Sequence, residues 1–167
     1  MLPIIKDLKH EAGTIPSGRI MGVDYGQRRI GLALSDPTQT LSSSLMTITN
    51  KGINAVVAEL RRIVTENSIP AIVVGMPLNM NGSVGPRGEE TIGFMNVIND
   101  RLQLPVIPWD ERLTSVSAQQ VLILSGKSPS RNKDKIDRIA AAILLQTFLD
   151  RLKILRSSMI KDDADTS

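Results

Sequence analysis

The spacing of apolar residues changes along this 167-residue chain from every second position to every third or fourth. Residues 19–24 and 29–34 are predicted to be strands because their pattern has a period of two, with a tight turn at 25–28 between them. A third strand is expected at 45–49. Residues 52–67 instead carry apolar side chains at three- and four-residue steps, which indicates an amphipathic helix.

Short apolar runs and amphipathic segments alternate in the remainder of the chain. Ala71–Gly75 and Val106–Ile107 are predicted to be buried parallel strands because they are apolar at successive positions. Helices are predicted at 88–103 and 135–155, and another is expected to begin near residue 114. Three leading strands followed by alternating helices and strands predict an α/β fold whose mixed sheet has an antiparallel edge.

The two ends of the chain differ in composition from its middle. Residues 1–18 are predicted to be a flexible arm, and residues 156–167, which end in KDDADTS, a disordered tail. A chain of this length without internal repeats is typical of one domain with a substantial core. We therefore expect a single domain at 19–155.

Composition and charge narrow the classes of function. The chain has no cysteine, which excludes disulfides and thiolate metal sites, and its single histidine, His10, lies in a polar segment. It has no run of about 20 apolar residues and no signal-peptide-like segment, so a cytoplasmic protein is expected. The net charge of +3 and the pI of about 9.4 favour anionic partners. The 2% aromatic content favours contacts to phosphates over base stacking.

Acidic residues stand at three places where a strand is predicted to end or a helix to begin. They are Asp24, the pair Asp110–Glu111, and Asp137. Ligands bind such sheets at the carboxyl ends of parallel strands, and clustered carboxylates prefer hard cations such as Mg²⁺ or Mn²⁺. Each acid also has a simpler explanation, namely a turn, an ion pair with Arg112, or a favourable helix start. Their joint occurrence in a basic chain favours a metal site.

Two loops offer further candidates for binding. Residues 75–88 are rich in glycine and asparagine and either approach phosphates closely or form a plain connecting loop; no Walker motif is present. The segment that leads to Asp137 is basic and is either a solvated surface or a nucleic-acid-binding surface. Its basic residues are Lys127, Arg131, Lys133 and Lys135.

The chain resembles the YqgF/RuvX family of the RNase H-like superfamily in four motifs, VDYGQRRIGLAL, VVGMPLNMNGS, DERLTS and KIDRIAAAILLQ, over about residues 19–152. The resemblance implies an RNase H-like fold. In that fold a central five-stranded mixed sheet, with three antiparallel leading strands and then parallel strands, is flanked by helices. It also implies a phosphodiesterase site that depends on Mg²⁺ or Mn²⁺.

The resemblance also implies roles for particular residues. Asp24, Glu111 and Asp137 match the family's catalytic and metal-binding acids, with Asp24 bridging two ions, and Asp110 is an auxiliary ligand. In related resolvases the second acid comes from the preceding parallel strand, which here ends in Gly75-Met76-Pro77 without a carboxylate. The residues expected to bind the phosphates of nucleic acid are Arg28, Arg131, Lys133, Lys135 and Arg138.

Family members have been described both as nucleases that mature the 5′ end of pre-16S rRNA and as Holliday junction resolvases. The first is the leading expectation here, with an RNA precursor as partner rather than a DNA junction, and with a monomer or homodimer as the assembly. A Holliday junction resolvase and a non-catalytic, nucleic-acid-binding ribosome-assembly factor are the alternatives. A sugar-kinase relative is disfavoured because the chain is too short for two lobes.

Overall fold

A five-stranded sheet forms the centre of the computed structural model, which describes residues 5–112 and 131–166. The strands are β1 (Met21–Asp24), β2 (Arg29–Ser35), β3 (Ser42–Thr49), β4 (Ile72–Met76) and β5 (Val106–Asp110). They lie side by side in the order β3-β2-β1-β4-β5. The strand β2 is antiparallel to both of its neighbours, whereas β1, β4 and β5 run parallel. The predicted mixed sheet with an antiparallel edge is therefore confirmed.

Helices cover both faces of this sheet. They are α1 (Leu8–Glu11), α2 (Ile53–Asn67), α3 (Pro86–Leu102) and α4 (Lys133–Asp165). The helices α2 and α3 bury Leu60 and Ile98 on one face, and α4 buries Leu144 and Phe148 on the other. The helix expected near residue 114 lies outside the described residues. Among the described helices, none is long and apolar enough to cross a membrane.

Glycines on the strands let α4 lie close to the sheet. A Cβ atom on Gly31 of β2 would stand 2.0 Å from the backbone oxygen of Asp137, and one on Gly22 of β1 would stand 2.9 Å from Cβ of Leu145. Both distances are shorter than van der Waals contact, so a larger residue would push the helix away. Because Gly31 pairs with Asp24 across the β1–β2 ladder, this approach brings the start of α4 beside the end of β1.

The predicted flexible arm at 1–18 packs against the domain over its described part, residues 5–18. Four of its apolar side chains are buried in the cluster that also contains α4; they are Ile5, Leu8, Ala12 and Ile15. The backbone N–H of Ile5 also donates a hydrogen bond to the Val106 oxygen at 2.9 Å. The three- and four-residue spacing of these side chains is that of a helical apolar face, which the polar residues between them concealed.

The last helix is also longer than the sequence predicted. It continues to Asp165, past the predicted end at Leu155, so the segment predicted as a disordered tail over 156–167 is helical through that residue. Contacts to the N-terminal part of the domain support the added turns, because Arg156 Nη1 donates a hydrogen bond to Gln39 Oε1 at 2.8 Å. No local pattern in the sequence indicates this contact, because its two residues lie 117 positions apart.

Candidate active site

Asp24 ends β1 at the edge of the sheet where the parallel strands β4 and β5 also end. Val23 pairs with Val74 in the β1–β4 ladder, so the residues that follow, Asp24 and Gly75, lie next to each other. The Asp24 side chain is partly buried. The predicted position of Asp24 at a strand end is therefore confirmed.

Glu111 follows β5 and reaches across the end of β4. Its backbone N–H donates a hydrogen bond to the Met76 oxygen at 3.2 Å. Its Oε2 atom lies 2.7 Å from the point where a Cβ atom on Gly75 would stand. The carboxylate of Glu111 thus occupies space that exists because residue 75 has no side chain. The strand β4 carries no acid, and the residue after β5 supplies one at the same place.

Asp137 reaches this edge of the sheet from the start of α4. Its Oδ2 atom accepts a hydrogen bond from Arg29 Nε at 2.8 Å. The same Nε atom lies 3.7 Å from Asp134 Oδ1. An arginine at the start of β2 therefore fixes the Asp137 carboxylate beside the end of β1.

Burial and nearby charges change the ionisation of Asp24 and Glu111. Burial raises the pKa of Asp24 to about 7, and the negative charges of Glu111 and Asp137 add to the effect. Burial also raises the pKa of Glu111. The positive charge of Arg87 acts in the opposite direction on the pKa of Asp24 and of Glu111. The structure therefore brings Asp24, Glu111 and Asp137 together.

Asp110 has a different partner. Its Oδ2 atom accepts hydrogen bonds from Arg112 Nη2 at 2.6 Å and from Arg112 Nε at 2.8 Å. These bonds hold the pKa of Asp110 below its ordinary value. One of the alternatives for Asp110–Glu111 was an ion pair with Arg112. The structure shows that Asp110 forms this ion pair, while Glu111 faces Asp24.

The donor chemistry of the three carboxylates fits a hard divalent cation. They offer oxygen atoms alone, and a cation would offset both the burial of the Asp24 charge and its repulsion by Glu111 and Asp137, which together raise the pKa of Asp24. Within residues 5–112 and 131–166, no three acidic or histidine side chains already stand in an arrangement that could enclose an ion. Arg29 bonds to Oδ2 of Asp137, so the other carboxylate oxygen, Oδ1, would be the one to coordinate an ion while that bond is kept.

A cleft of about 330 Å³ lies beside the carboxylates, between the β1–β2 turn and the start of α3. Three arginines contribute to its lining, together with Asp137: Arg28, Arg29 and Arg87. The sequence indicated Arg28 but missed Arg29 and Arg87. The available signal for Arg87 was its position in the first turn of α3, directly after the glycine-rich loop.

The other basic residues predicted to bind nucleic acid lie around Asp137 at the start of α4. Arg131 and Lys133 are exposed, whereas Lys135 and Arg138 are partly buried. Lys127 lies outside the described residues. The chain therefore presents a run of positive charge on both sides of one of the three acids.

The chain matches known proteins over most of its length. The family model RuvX, described as Holliday junction resolvase, matches residues 18–151. A protein of Desulforamulus reducens named "Putative pre-16S rRNA nuclease" is 42% identical over 132 residues, which are 79% of this chain and 96% of the relative. A protein of the same name in Caldanaerobacter subterraneus is 43% identical over 137 residues, or 81% of this chain and 98% of the relative.

Solved structures of low sequence identity share the fold. Thermus thermophilus RuvC in complex with a Holliday junction substrate gives a TM-score of 0.54 at 15% identity, over 81% of this chain and 96% of RuvC. The fowlpox virus resolvase in complex with Holliday junction DNA gives 0.52 at 13% identity, over 80% of this chain and 98% of the resolvase. The chain therefore belongs to the RuvX family and has the RNase H-like fold that its four motifs implied.

Proposed function

We propose that this protein is a metal-dependent nuclease that hydrolyses phosphodiester bonds at the site formed by Asp24, Glu111 and Asp137. The observation that carries the proposal is the gathering of three carboxylates at the carboxyl ends of β1 and β5 and the start of α4. Burial raises the pKa of Asp24 to about 7, and the negative charges of Glu111 and Asp137 add to the effect. Buried carboxylates that repel one another are typical of a functional site that binds a cation.

The roles of the individual residues follow from their positions. Asp24 is the acid on which the charges of both other acids act, and Asp24, Glu111 and Asp137 would together hold the metal. When bound there, Mg²⁺ or Mn²⁺ would activate a water molecule and stabilise the leaving oxygen. Arg29 orients Asp137 before binding. Asp110, which is paired with Arg112, would be an auxiliary ligand only.

The proposed substrate is the 5′ extension of pre-16S rRNA, which places the protein in the cytoplasm. The relatives at 42% and 43% identity carry pre-16S rRNA in their name. The described basic residues beside the site would bind the phosphates of the strand; they are Arg28, Arg131, Lys133, Lys135 and Arg138. Basic side chains of this kind would bind a single RNA strand through its phosphate backbone rather than through its bases.

A cleavage assay tests this function. The purified protein is incubated with a 5′-extended pre-16S rRNA fragment and, separately, with a four-way DNA junction, each with Mg²⁺, with Mn²⁺ and with EDTA. We expect metal-dependent cleavage of the RNA. Asp24→Asn should abolish it, whereas Asp100→Asn, an exposed substitution in α3, should not.

Two results would contradict the proposal. Faster cleavage of the junction than of the RNA would identify a Holliday junction resolvase, the activity named for the family and for its structural relatives. Binding of both substrates without cleavage by either metal would identify a non-catalytic assembly factor. A calorimetric titration with Mg²⁺ and Mn²⁺ separates these cases further, because an assembly factor needs no ion at Asp24.

A further inference from the structure

Two side-chain contacts join the two walls of the arginine-lined cleft, which are the β1–β2 turn and α3. The ring of Tyr25, in the β1–β2 turn, stacks on Phe94 of α3 with their centroids 4.2 Å apart. Gln27 Nε2 donates hydrogen bonds to both carboxylate oxygens of Glu90 at 3.0 Å. These contacts hold the turn against α3 and thereby fix the width of the cleft between them.

Two of its three arginines are available to bind a ligand. Arg29 is engaged by Asp137, and the acid Glu90 is engaged by Gln27. The guanidinium groups of Arg28 and Arg87 are exposed, and neither makes a hydrogen bond or ion pair in the part of the chain that the structure describes. Arg28 and Arg87 thus line one cleft, the first from the β1–β2 turn and the second from α3.

A phosphate group is the anion that this arrangement suits. A guanidinium group binds phosphate through two parallel hydrogen bonds, and its charge does not depend on pH in the physiological range. The cleft volume of about 330 Å³ lies at the lower end of the usual range for ligand sites, roughly 300–1,000 Å³. Asp137 also lines it, so a phosphate held there lies next to the carboxylates.

We propose that Arg28 and Arg87 together bind one phosphate of the substrate strand, adjacent to the phosphodiester bond that is cleaved, and that Arg87 is a positioning residue of the nuclease. The proposal rests on the proposed nuclease function and adds a subsite to it. Arg87 suits the role because it stands between two parts of the site. It lines the cleft, and its positive charge also acts on Asp24 and Glu111.

A chemical double-mutant cycle tests the subsite through binding alone. A labelled single-stranded RNA of about 12 nucleotides, enough to cover several phosphate contacts, is made with one neutral methylphosphonate at each position in turn. Affinities are measured by fluorescence anisotropy in EDTA, so that no strand is cut. The proteins are the wild type, Arg87→Gln, Arg28→Gln, and the control Arg151→Gln, an exposed arginine about 20 Å along α4 from Asp137.

We expect Arg87→Gln to weaken binding of the unmodified strand roughly tenfold, which corresponds to about 1.4 kcal/mol. At one position the methylphosphonate should weaken binding by the wild type and by Arg151→Gln but cause no further loss with Arg87→Gln or Arg28→Gln. Shared non-additivity at one position shows that both arginines contact the same phosphate. Arg87→Lys should be intermediate, since it keeps the charge but loses the paired hydrogen bonds.

Other outcomes would overturn the proposal. If Arg87→Gln binds like Arg151→Gln at every position, the cleft does not hold a phosphate of the strand. If the effects of Arg28→Gln and Arg87→Gln are non-additive with methylphosphonates at different positions, the two arginines bind two different phosphates rather than one. A wild-type protein that shows the cycle but cleaves no nucleic acid with Mg²⁺ or Mn²⁺ overturns the nuclease function and, with it, the positioning role. A wild type that cleaves RNA with no dependence on Arg87 overturns the subsite alone.

Discussion

At the scale of single residues, Gly75 governs which strand supplies the second acid of the site. A carboxylate at the end of β4 would occupy the gap beside Asp24, but β4 has only a glycine there. Glu111 reaches into that gap from the end of β5 and places Oε2 where a side chain of residue 75 would begin. The missing side chain at residue 75 therefore helps to determine where the Glu111 carboxylate lies. The positions of the charged residues in the sequence do not indicate this.

We predict that Gly75→Ala lowers turnover strongly while leaving the fold intact. The added methyl carbon would stand 2.7 Å from Glu111 Oε2 and 2.5 Å from Leu144 Cδ1. Both are ends of flexible side chains, so we expect a loss of stability of only about 1–3 kcal/mol. The displaced Glu111 should reduce kcat on the RNA substrate by roughly 10- to 100-fold. Wild-type kcat in a folded Gly75→Ala protein would show that Glu111 does not depend on this gap.

Asp24→Asn is expected to stabilise the metal-free protein while it abolishes cleavage. The folded-state pKa of Asp24 is raised from an ordinary value of 3.8 to about 7. The charged form is therefore unfavourable in the folded state, and Asp24 reduces the stability of the wild type progressively as the pH rises from about 4 to 7. Asparagine has no such charge, so the variant should gain on the order of 2–4 kcal/mol above pH 7 and little near pH 4.

Urea unfolding in EDTA at about pH 4 and pH 8 measures this difference. Asp100→Asn, exposed in α3, is the control whose effect should be similar at the two pH values. A variant that is less stable than the wild type at both pH values would support the simpler explanation, in which Asp24 stabilises the β1–β2 turn.

At the scale of elements, the position of α4 on the sheet brings Asp137 into the site. The sequence predicted the helix and its acid, because the apolar spacing of residues 135–155 is local information. It did not predict how closely the helix approaches β1 and β2, since Gly22 and Gly31 lie over 100 residues away from their contacts in α4. Arg29 was missed for the same reason, because its pairing with Asp137 spans 108 positions.

Gly31→Ala should destabilise the protein far more than the same change elsewhere. The new Cβ atom would stand 2.0 Å from the backbone oxygen of Asp137, and backbone cannot rotate away as a side chain does. We expect a loss of roughly 3 kcal/mol or more, measured by urea unfolding. Gly93→Ala is the matched control, because a Cβ there meets nothing within 4 Å, and alanine inside α3 should stabilise the helix by about 1 kcal/mol. Equal stabilities for the two variants would contradict the close packing of α4 on β2.

At the scale of the whole molecule, the prediction from sequence was correct where the apolar periodicity extends over a whole strand or helix. It was wrong or incomplete where a segment packs against residues that are distant in the sequence. Within residues 19–155, the order and type of the described strands and helices agree with the prediction, because each of these elements has its own local apolar periodicity. The sequence predicts a flexible arm at 1–18 because its few apolar residues show no partner locally, whereas in the structure those of the described part, 5–18, pack in the cluster that contains α4. The sequence did not indicate Arg87, because a single arginine at a junction between a loop and a helix is common on protein surfaces. Its role is indicated only by the structure, in which its charge acts on Asp24 and Glu111.

The distribution of positive charge along α4 leads to the last prediction. Arg131→Ala combined with Lys133→Ala removes two exposed charges beside Asp137, and Arg151→Ala combined with Lys153→Ala removes two exposed charges about 30 Å further along the helix. The two double variants have the same net charge, so a difference between them reports position alone. Only the first should weaken RNA binding.

The salt dependence of the dissociation constant measures this difference. Each phosphate contact on a single strand contributes about −0.7 to the slope of log K against log salt, so the first pair should reduce the slope by up to about 1.4 and the second by almost nothing. The effect should be alike for unrelated RNA sequences because phosphates carry no sequence information. Turnover at saturating RNA should fall much less than affinity, since the carboxylates are untouched. Equal salt slopes for the two variants would mean that the surface around Asp137 is only solvated, and that the strand enters the site by another face.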